Sequence, residues 1–183
     1  QMSELVDSLL ELSRLDAGQP LAKIEKVNGE KIITGACTAG QVLAVNKKLK
    51  IELQIDQNTI ILGSKQEVYS AFSNLIFNAI HYTPDGGTVV IRWSKKAKCI
   101  SFEVEDNGIG IAPEHLNRVT ERFYRIDGAR ARLSDGAGNG LGLAIVKHIV
   151  RRHGASLRIV SKIGVGSCFS IDFPLEEVLQ ERE

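Results

Sequence analysis

Residues 64–82, SKQEVYSAFSNLIFNAIHY, constrain the fold more than any other stretch of the chain. Val68, Phe72, Leu75, Ile76, Ala79 and Ile80 recur at helical spacing and define a face that has to be buried. A second face carries Asn74 and Asn78 one turn apart, with His81 and Tyr82 a further turn on. An amide oxygen is a hard, neutral ligand suited to Mg²⁺ that already carries phosphate oxygens, so this pair would serve a nucleotide-phosphate site. Taken alone, the commoner reading of two such Asn is polar helix surface.

The elements around this helix point to a layered α+β fold. Residues 1–17, QMSELVDSLLELSRLDA, form a helix whose stripe of Leu5, Val6, Leu9, Leu10 and Leu12 is wider than a lone surface helix needs, and Gly18 and Pro20 stop it. The expected partner is a helical bundle rather than the helix's own domain. A linker enters a strand near Ile24 to Val27, and a helix from Glu30 to Lys48 would bury Ile32, Ile33, Ala36, Cys37, Val42, Leu43 and Val45 despite Gly35 and Gly40. Strands follow at Lys50 to Ile55 and Thr59 to Leu62. After the central helix and a TPDGG turn, Thr88 to Trp93 and Cys99 to Val104 alternate as an antiparallel hairpin. A helix from about Gly140 to His153 and a strand pair, Ser156 to Ser161 and Ser167 to Phe173, complete the domain. The sum is a two-layer α/β sandwich in which helices cover one face of a mixed, mostly antiparallel sheet. The expected division is 1–18 bundle helix, 19–27 linker and first strand, 28–175 the main domain, and 176–183 a charged tail.

A net charge of +1 in 183 residues argues against a general nucleic-acid binder. Cys37, Cys99 and Cys168 are odd in number and lack a CxxC, so neither a disulfide framework nor a zinc site is indicated, which fits a reducing cytoplasmic compartment. No apolar run reaches membrane-spanning length and no signal peptide opens the chain. A first residue of Gln rather than Met is expected of a piece of something longer.

Chemistry concentrates between residues 106 and 142. EDNGIGI, Glu105 to Ile111, follows directly on a strand, so Asp106 is held rigidly where it could accept a hydrogen bond from an exocyclic amine, while Ile109 and Ile111 offer apolar surface to a ring. A plain DNG turn would lead into another strand, whereas IAPEHLNRV reads as a short helix opened by Pro113. DGAGNGLGL, Asp135 to Leu143, runs straight into a helix, and its backbone N–H groups would cradle phosphate. Its spacing is neither the dinucleotide fingerprint nor a P-loop. Between the two, Arg122, Arg125, Arg130 and Arg132 fall within eleven residues and read as a lid able to place guanidinium groups on phosphate, or as a solvated basic loop.

Taken together, these residues resemble the catalytic domain of sensor histidine kinases. NLIFNAIHYT from Asn74 is similar to that family's N box, DNGIG from Asp106 to its first glycine box, ERFYR from Glu121 to its F box, GNGLGLAIVK from Gly138 to its second glycine box, and GVGSCF from Gly164 to its final element. LSRLD from Leu12 resembles the end of the preceding dimerisation helix, and the TERFYR stretch is similar to phosphate-regulon sensor kinases. The resemblance implies an ATP-binding Bergerat-type sandwich in which Asn78 ligates Mg²⁺, Asn74 lies near the phosphates, and His81 and Tyr82 border the nucleotide. Asp106 would take the adenine amine, with Gly108, Gly110 and Ile111 beside it and Ser167 supporting it through water. Arg125, Arg130, Gly138, Asn139, Gly140, Leu141 and Gly142 would close over the phosphates. Departures are Thr120 for the usual Phe, Asn139 for Ser or Thr, His81 for a frequent Lys, and Ser167 for Thr.

Relatives that hydrolyse ATP carry a Glu one turn before the metal-binding Asn as a general base. Here that position is Asn74, which cannot take a proton, so transfer of the γ-phosphoryl group to a better nucleophile is expected. None of His81, His115, His148 or His153 has the H-E-x-R/K-T-P setting of an acceptor. The implied partners are the chain's own dimerisation and phosphoacceptor domain, as a homodimer, and a response regulator. The setting would be the cytoplasmic side of an inner-membrane sensor. A serine kinase of the same ATP fold and a nucleotide-binding module without turnover remain open.

Overall fold

In the computed structural model, which describes residues 2–16, 23–126 and 139–175, every apolar position of the central helix named above is buried. This helix, α3 (Lys65–Tyr82), begins at Ser64, whose Oγ accepts the Glu67 N–H. The preceding elements are α1 (Met2–Asp16), β1 (Glu25–Asn28), α2 (Gly29–Asn46), β2 (Lys50–Ile55) and β3 (Ile60–Gly63). Those that follow are β4 (Thr88–Lys95), β5 (Cys99–Asp106), α4 (Pro113–Leu116), α5 (Gly142–Arg152), β6 (Ser156–Lys162) and β7 (Gly166–Pro174).

Five strands form one sheet in the order β2-β4-β5-β7-β6. The β2–β4 pair is parallel because β3 and α3 lie between the two strands as a crossover, and the other three pairs are antiparallel. The mixed, mostly antiparallel sheet expected from the sequence is therefore present. A separate two-stranded sheet joins β1 to β3, a pairing that four-residue strands do not announce.

Alternation along β4 sends Val89, Ile91 and Trp93 inward, joined across the register by Phe102, Val104, Phe169 and Ile171. Phe72 of α3 stacks on Phe102 with ring centroids 3.7 Å apart and meets Trp93 edge-on at 5.7 Å. Complete burial of Phe72 makes its truncation to Ala worth about 3–5 kcal/mol, a large part of a typical domain's stability. On the other face of the sheet Arg92 pairs with Glu105 at 2.6 Å and Lys96 with Glu103, so that face can remain in water.

Helix α3 packs between α2 and α5. Helix α2 departs from expectation. Val42 and Val45 are 74% and 64% exposed and Leu43 is also exposed, while the buried stripe is Gly29, Ile32, Ile33, Ala36, Gly40 and Ala44. Gly40 explains the rotation, because a Cβ there would sit 2.8 Å from Ile80 Cδ1, so the glycine that weakens the helix locally is what lets it approach α3. Helix α1 divides its apolar residues: Leu12 and Leu15 are buried in the domain core, where α1 packs against α5, and Val6, Leu9 and Leu10 are exposed.

Candidate functional site

The C-terminal turn of α3 is fastened from outside. Lys47, just past the end of α2, donates to the Ile80 and His81 carbonyls at 2.9 and 2.7 Å, groups a helix end would otherwise leave unpaired. That turn presents Asn78 and Tyr82. The loop after β5 is tied to the same turn by the Ile109 N–H bonding to the Tyr82 carbonyl at 3.3 Å, and to the β6–β7 connection by the Gly164 N–H bonding to the Ile109 carbonyl at 2.9 Å. Gly110 has φ +69, and a Cβ on it would lie 2.1 Å from the Lys162 carbonyl oxygen, so the loop closes only with glycine there.

These elements bound a cleft of about 330 Å³. Asn78 and Tyr82 of α3, Asp106, the loop residues Ile109, Gly110 and Ile111, and Ser167 and Phe169 of β7 line it. Tyr124, Arg125 and Ile126 also line it, with His115 of α4 and Leu143 of α5. Ile109, Ile111, Ile126, Leu143 and Phe169 make much of the lining apolar, as a site for a heteroaromatic ring requires, and the polar side chains of the lining include Asn78, Asp106, Glu114, Arg125 and Ser167.

Asp106 is 8% exposed and accepts the Gly108 N–H at 2.8 Å. Burial raises its carboxyl above the usual carboxylate range, and hydrogen bonds from the Gly108 and Ser167 backbone oppose the shift. Ser167 belongs to a hydroxyl relay. Ser161 Oγ accepts the Ile111 N–H at 2.8 Å and donates to the Gly166 carbonyl at 2.9 Å, so the 2.9 Å contact between the two serines requires Ser167 to donate. Both lone pairs of Ser167 Oγ remain to receive water or a ligand. His81 is half-buried, its Nε2 has no hydrogen-bond partner among the described residues, and burial, then the charges of Lys47 and Arg125, lower its pKa.

Eight of the residues singled out in the sequence therefore meet in one cleft: Asn78, Tyr82, Asp106, Ile109, Gly110, Ile111, Arg125 and Ser167. Asn74 points elsewhere. Its Nδ2 donates to the Ser70 carbonyl at 2.9 Å, its Oδ1 lies 2.5 Å from where a Cβ on Gly142 would stand, and it lines a groove beside α1. Asn139 Oδ1 accepts the Leu141 N–H at 3.1 Å, Leu141 is fully buried in the core, and Gly142 opens α5. Arg130 and Gly138, with the middle of the basic stretch, lie outside the described residues. Lining residues given no role from sequence are Ala112, Glu114, His115, Val119, Tyr124, Ile126, Leu143, Ile163 and Phe169; Tyr124, Leu143 and Phe169 lie inside the quoted stretches ERFYR, GNGLGLAIVK and GVGSCF, whereas the others reach the cleft through tertiary packing rather than any spacing.

Comparison with known proteins identifies the family. Residues 63–177 match the model of the family described as histidine kinase-, DNA gyrase B-, and HSP90-like ATPase. The phosphate regulon sensor protein PhoR of Pseudomonas aeruginosa is 41% identical over 180 residues, which is 98% of this chain and 40% of the relative. The sensor-like histidine kinase SenX3 of Mycobacterium tuberculosis is 38% identical over 174 residues, 95% of this chain and 42% of the relative. The chain thus spans about two-fifths of the length of these relatives. Among solved structures, full-length ShkA in complex with AMPPNP superposes with a TM-score of 0.78 at 25% identity, over 93% of this chain and 35% of that one. The likeness to sensor histidine kinase catalytic domains, with its ATP-binding sandwich, is confirmed, and the chain belongs to the histidine kinase-, DNA gyrase B-, and HSP90-like ATPase family.

Proposed function

We propose that the cleft binds Mg-ATP and that the domain transfers the γ-phosphoryl group to a histidine on its dimerisation helices, for relay to an aspartate of a response regulator. The observation that supports this most is the meeting, in one apolar cleft, of a neutral amide, a buried carboxylate and an arginine at its edges. Asp106 accepts the adenine amine, with the backbone of the glycine loop fixing its orientation and Ser167 contributing through an ordered water. The isoleucines and Phe169 cover the ring. Tyr82 and His81 border the nucleotide, and Arg125 faces the phosphates, where a planar guanidinium can hold two oxygens at once. Asn139, Gly140 and Gly142 at the start of α5 would contribute backbone donors to the same phosphates, with Arg130 and Gly138 in the adjoining stretch.

The site's donors fit magnesium. Asn78 offers one neutral oxygen at the cleft, and the described residues hold no group of three or more His, Cys, Asp or Glu that could enclose a metal. A metal taken up here would draw its other ligands from phosphate and water, the coordination magnesium prefers. Bound there by Asn78, it would supply neutralisation of the triphosphate charge.

Asn74 stands where hydrolytic relatives place a base. It has no proton acceptor of the needed strength, and it faces Gly142 and the Ser70 carbonyl rather than the cleft. Catalysis then rests on positioning and charge neutralisation, with the acceptor imidazole as nucleophile. On this reading residues 1–18 are the end of the dimerisation helix and 28–175 the catalytic unit of a homodimer lying on the cytoplasmic side of an inner-membrane sensor. No helix among the described residues is long and apolar enough to cross a membrane.

The test is phosphotransfer from ATP to an added helix pair carrying the acceptor histidine. Acid-labile phosphohistidine is expected. Phosphoserine would favour a serine kinase, and binding without transfer a regulatory module.

A further inference from the structure

We infer that His115 is a positioning residue, which holds Tyr124 and thereby sets Arg125 over the phosphate end of the cleft. The inference rests on the ATP reading of the cleft given above. Residues 121–126 form no helix or strand, so regular backbone pairing does not fix them. Their hold is local. The Phe123 N–H bonds to the Gly140 carbonyl at 3.0 Å, and Phe123 itself adopts φ +60, a left-handed conformation that is strained for a side chain of its kind. A strained residue immediately before Tyr124 leaves the direction of the chain to side-chain contacts.

Tyr124 is held at two points. Its hydroxyl lies 2.6 Å from Nδ1 of His115, and the Arg118 guanidinium sits over its ring, 4.3 Å from the centroid. His115 is itself fixed, since its carbonyl accepts the N–H groups of Arg118 and Val119 at 2.9 and 3.0 Å. Both His115 and Tyr124 line the cleft, and Arg125 is the next residue along the chain. The imidazole and the phenol thus join the loop after the first glycine turn to the arginine-bearing wall. With the hydroxyl at His115 and the ring face under Arg118, Tyr124 is restrained at two points, and that restraint aims the backbone leading into Arg125.

A positioning role predicts a larger effect on ligands with phosphates than on a ligand without them. The experiment titrates the 183-residue chain with magnesium and AMPPNP, and separately with adenosine, for the parent, His115→Leu, His115→Gln, Tyr124→Phe, Arg125→Ala and the double variant His115→Leu/Arg125→Ala, with thermal melts alongside. Loss of one hydrogen bond corresponds to about fivefold in affinity. His115→Leu and Tyr124→Phe should each weaken AMPPNP about fivefold more than they weaken adenosine. His115→Gln, which keeps a polar partner for the phenol, should recover most of the loss. In the Arg125→Ala background, His115→Leu should have no further effect. Should His115→Leu fold poorly, Tyr124→Phe carries the same test. Unchanged AMPPNP affinity, equal weakening of both ligands, or losses that multiply in the double variant would each overturn the inference while leaving the ATP reading intact. A parent chain that binds neither ligand would overturn both.

Discussion

Asp106→Asn separates recognition from stability. The carboxylate is buried and accepts the Gly108 N–H at 2.8 Å, a bond that an amide oxygen can keep. Keeping it leaves the new NH₂ to face the cleft, where it would meet the adenine amine donor to donor. Replacing a charge-assisted hydrogen bond by two opposed donors costs about 2–3 kcal/mol, or roughly 30- to 150-fold in affinity. Guanine carries a carbonyl where adenine carries the amine, so the preference for ATP over GTP should shrink in the same variant. Stability should move the other way. Because burial raises the folded-state pKa of Asp106, the native protein binds more protons than the unfolded chain between the ordinary carboxylate value and the raised one, and stability falls as pH rises through that interval. At neutral pH the parent bears the cost of a buried charge, so Asp106→Asn should melt at the same temperature or higher and lose that part of the pH dependence. Displacement of a fluorescent ATP analogue by ATP and by GTP, with melts from about pH 4 to 8, measures both effects. Parent-like discrimination between the nucleotides would refute the adenine assignment.

Three further outcomes follow from the same geometry. Asn78→Ala should remove the magnesium dependence of nucleotide binding and phosphotransfer while leaving the melting temperature within a few degrees, since the side chain faces the cleft rather than the core; unchanged transfer would count against the metal assignment. Lys47→Met removes two hydrogen bonds to the end of α3 and one of the charges that lower the His81 pKa. It should cost about 1–2 kcal/mol after allowance for the solvent exposure of Lys47, and NMR should show His81 titrating closer to the ordinary histidine range, a downward move being the contrary result. Gly110→Ala meets a positive φ and a backbone oxygen that cannot step aside, so denaturant unfolding should register a loss of roughly 3 kcal/mol or more, and a loss under about 1 kcal/mol would disprove the close approach.

What is legible in the sequence and what is not divides along physical lines. The burial of α3 can be read because its apolar residues repeat with the helix itself, and the hairpin of β4 and β5 because its residues alternate. The stripe of α2 is misread from sequence because Val42 and Val45 look like core by composition, whereas the face that packs is chosen by the Gly40–Ile80 approach, a property of two helices together. Asp106 and the glycines after it can be found because a strand end followed by two glycines is a local signal. The direction of Asn74 cannot, since it depends on where α5 crosses α3 and brings Gly142 against the amide. His115 and Tyr124 are nine residues apart with no helical or strand register between them, so only the folded chain shows that they meet.

The most direct measurement of the central claim is a calorimetric titration of the chain with AMPPNP, with and without magnesium, in the parent and in Asn78→Ala. Saturable binding that magnesium strengthens in the parent, and does not strengthen in the variant, is the predicted result. Absence of heat in the parent, or binding indifferent to magnesium, would contradict the account.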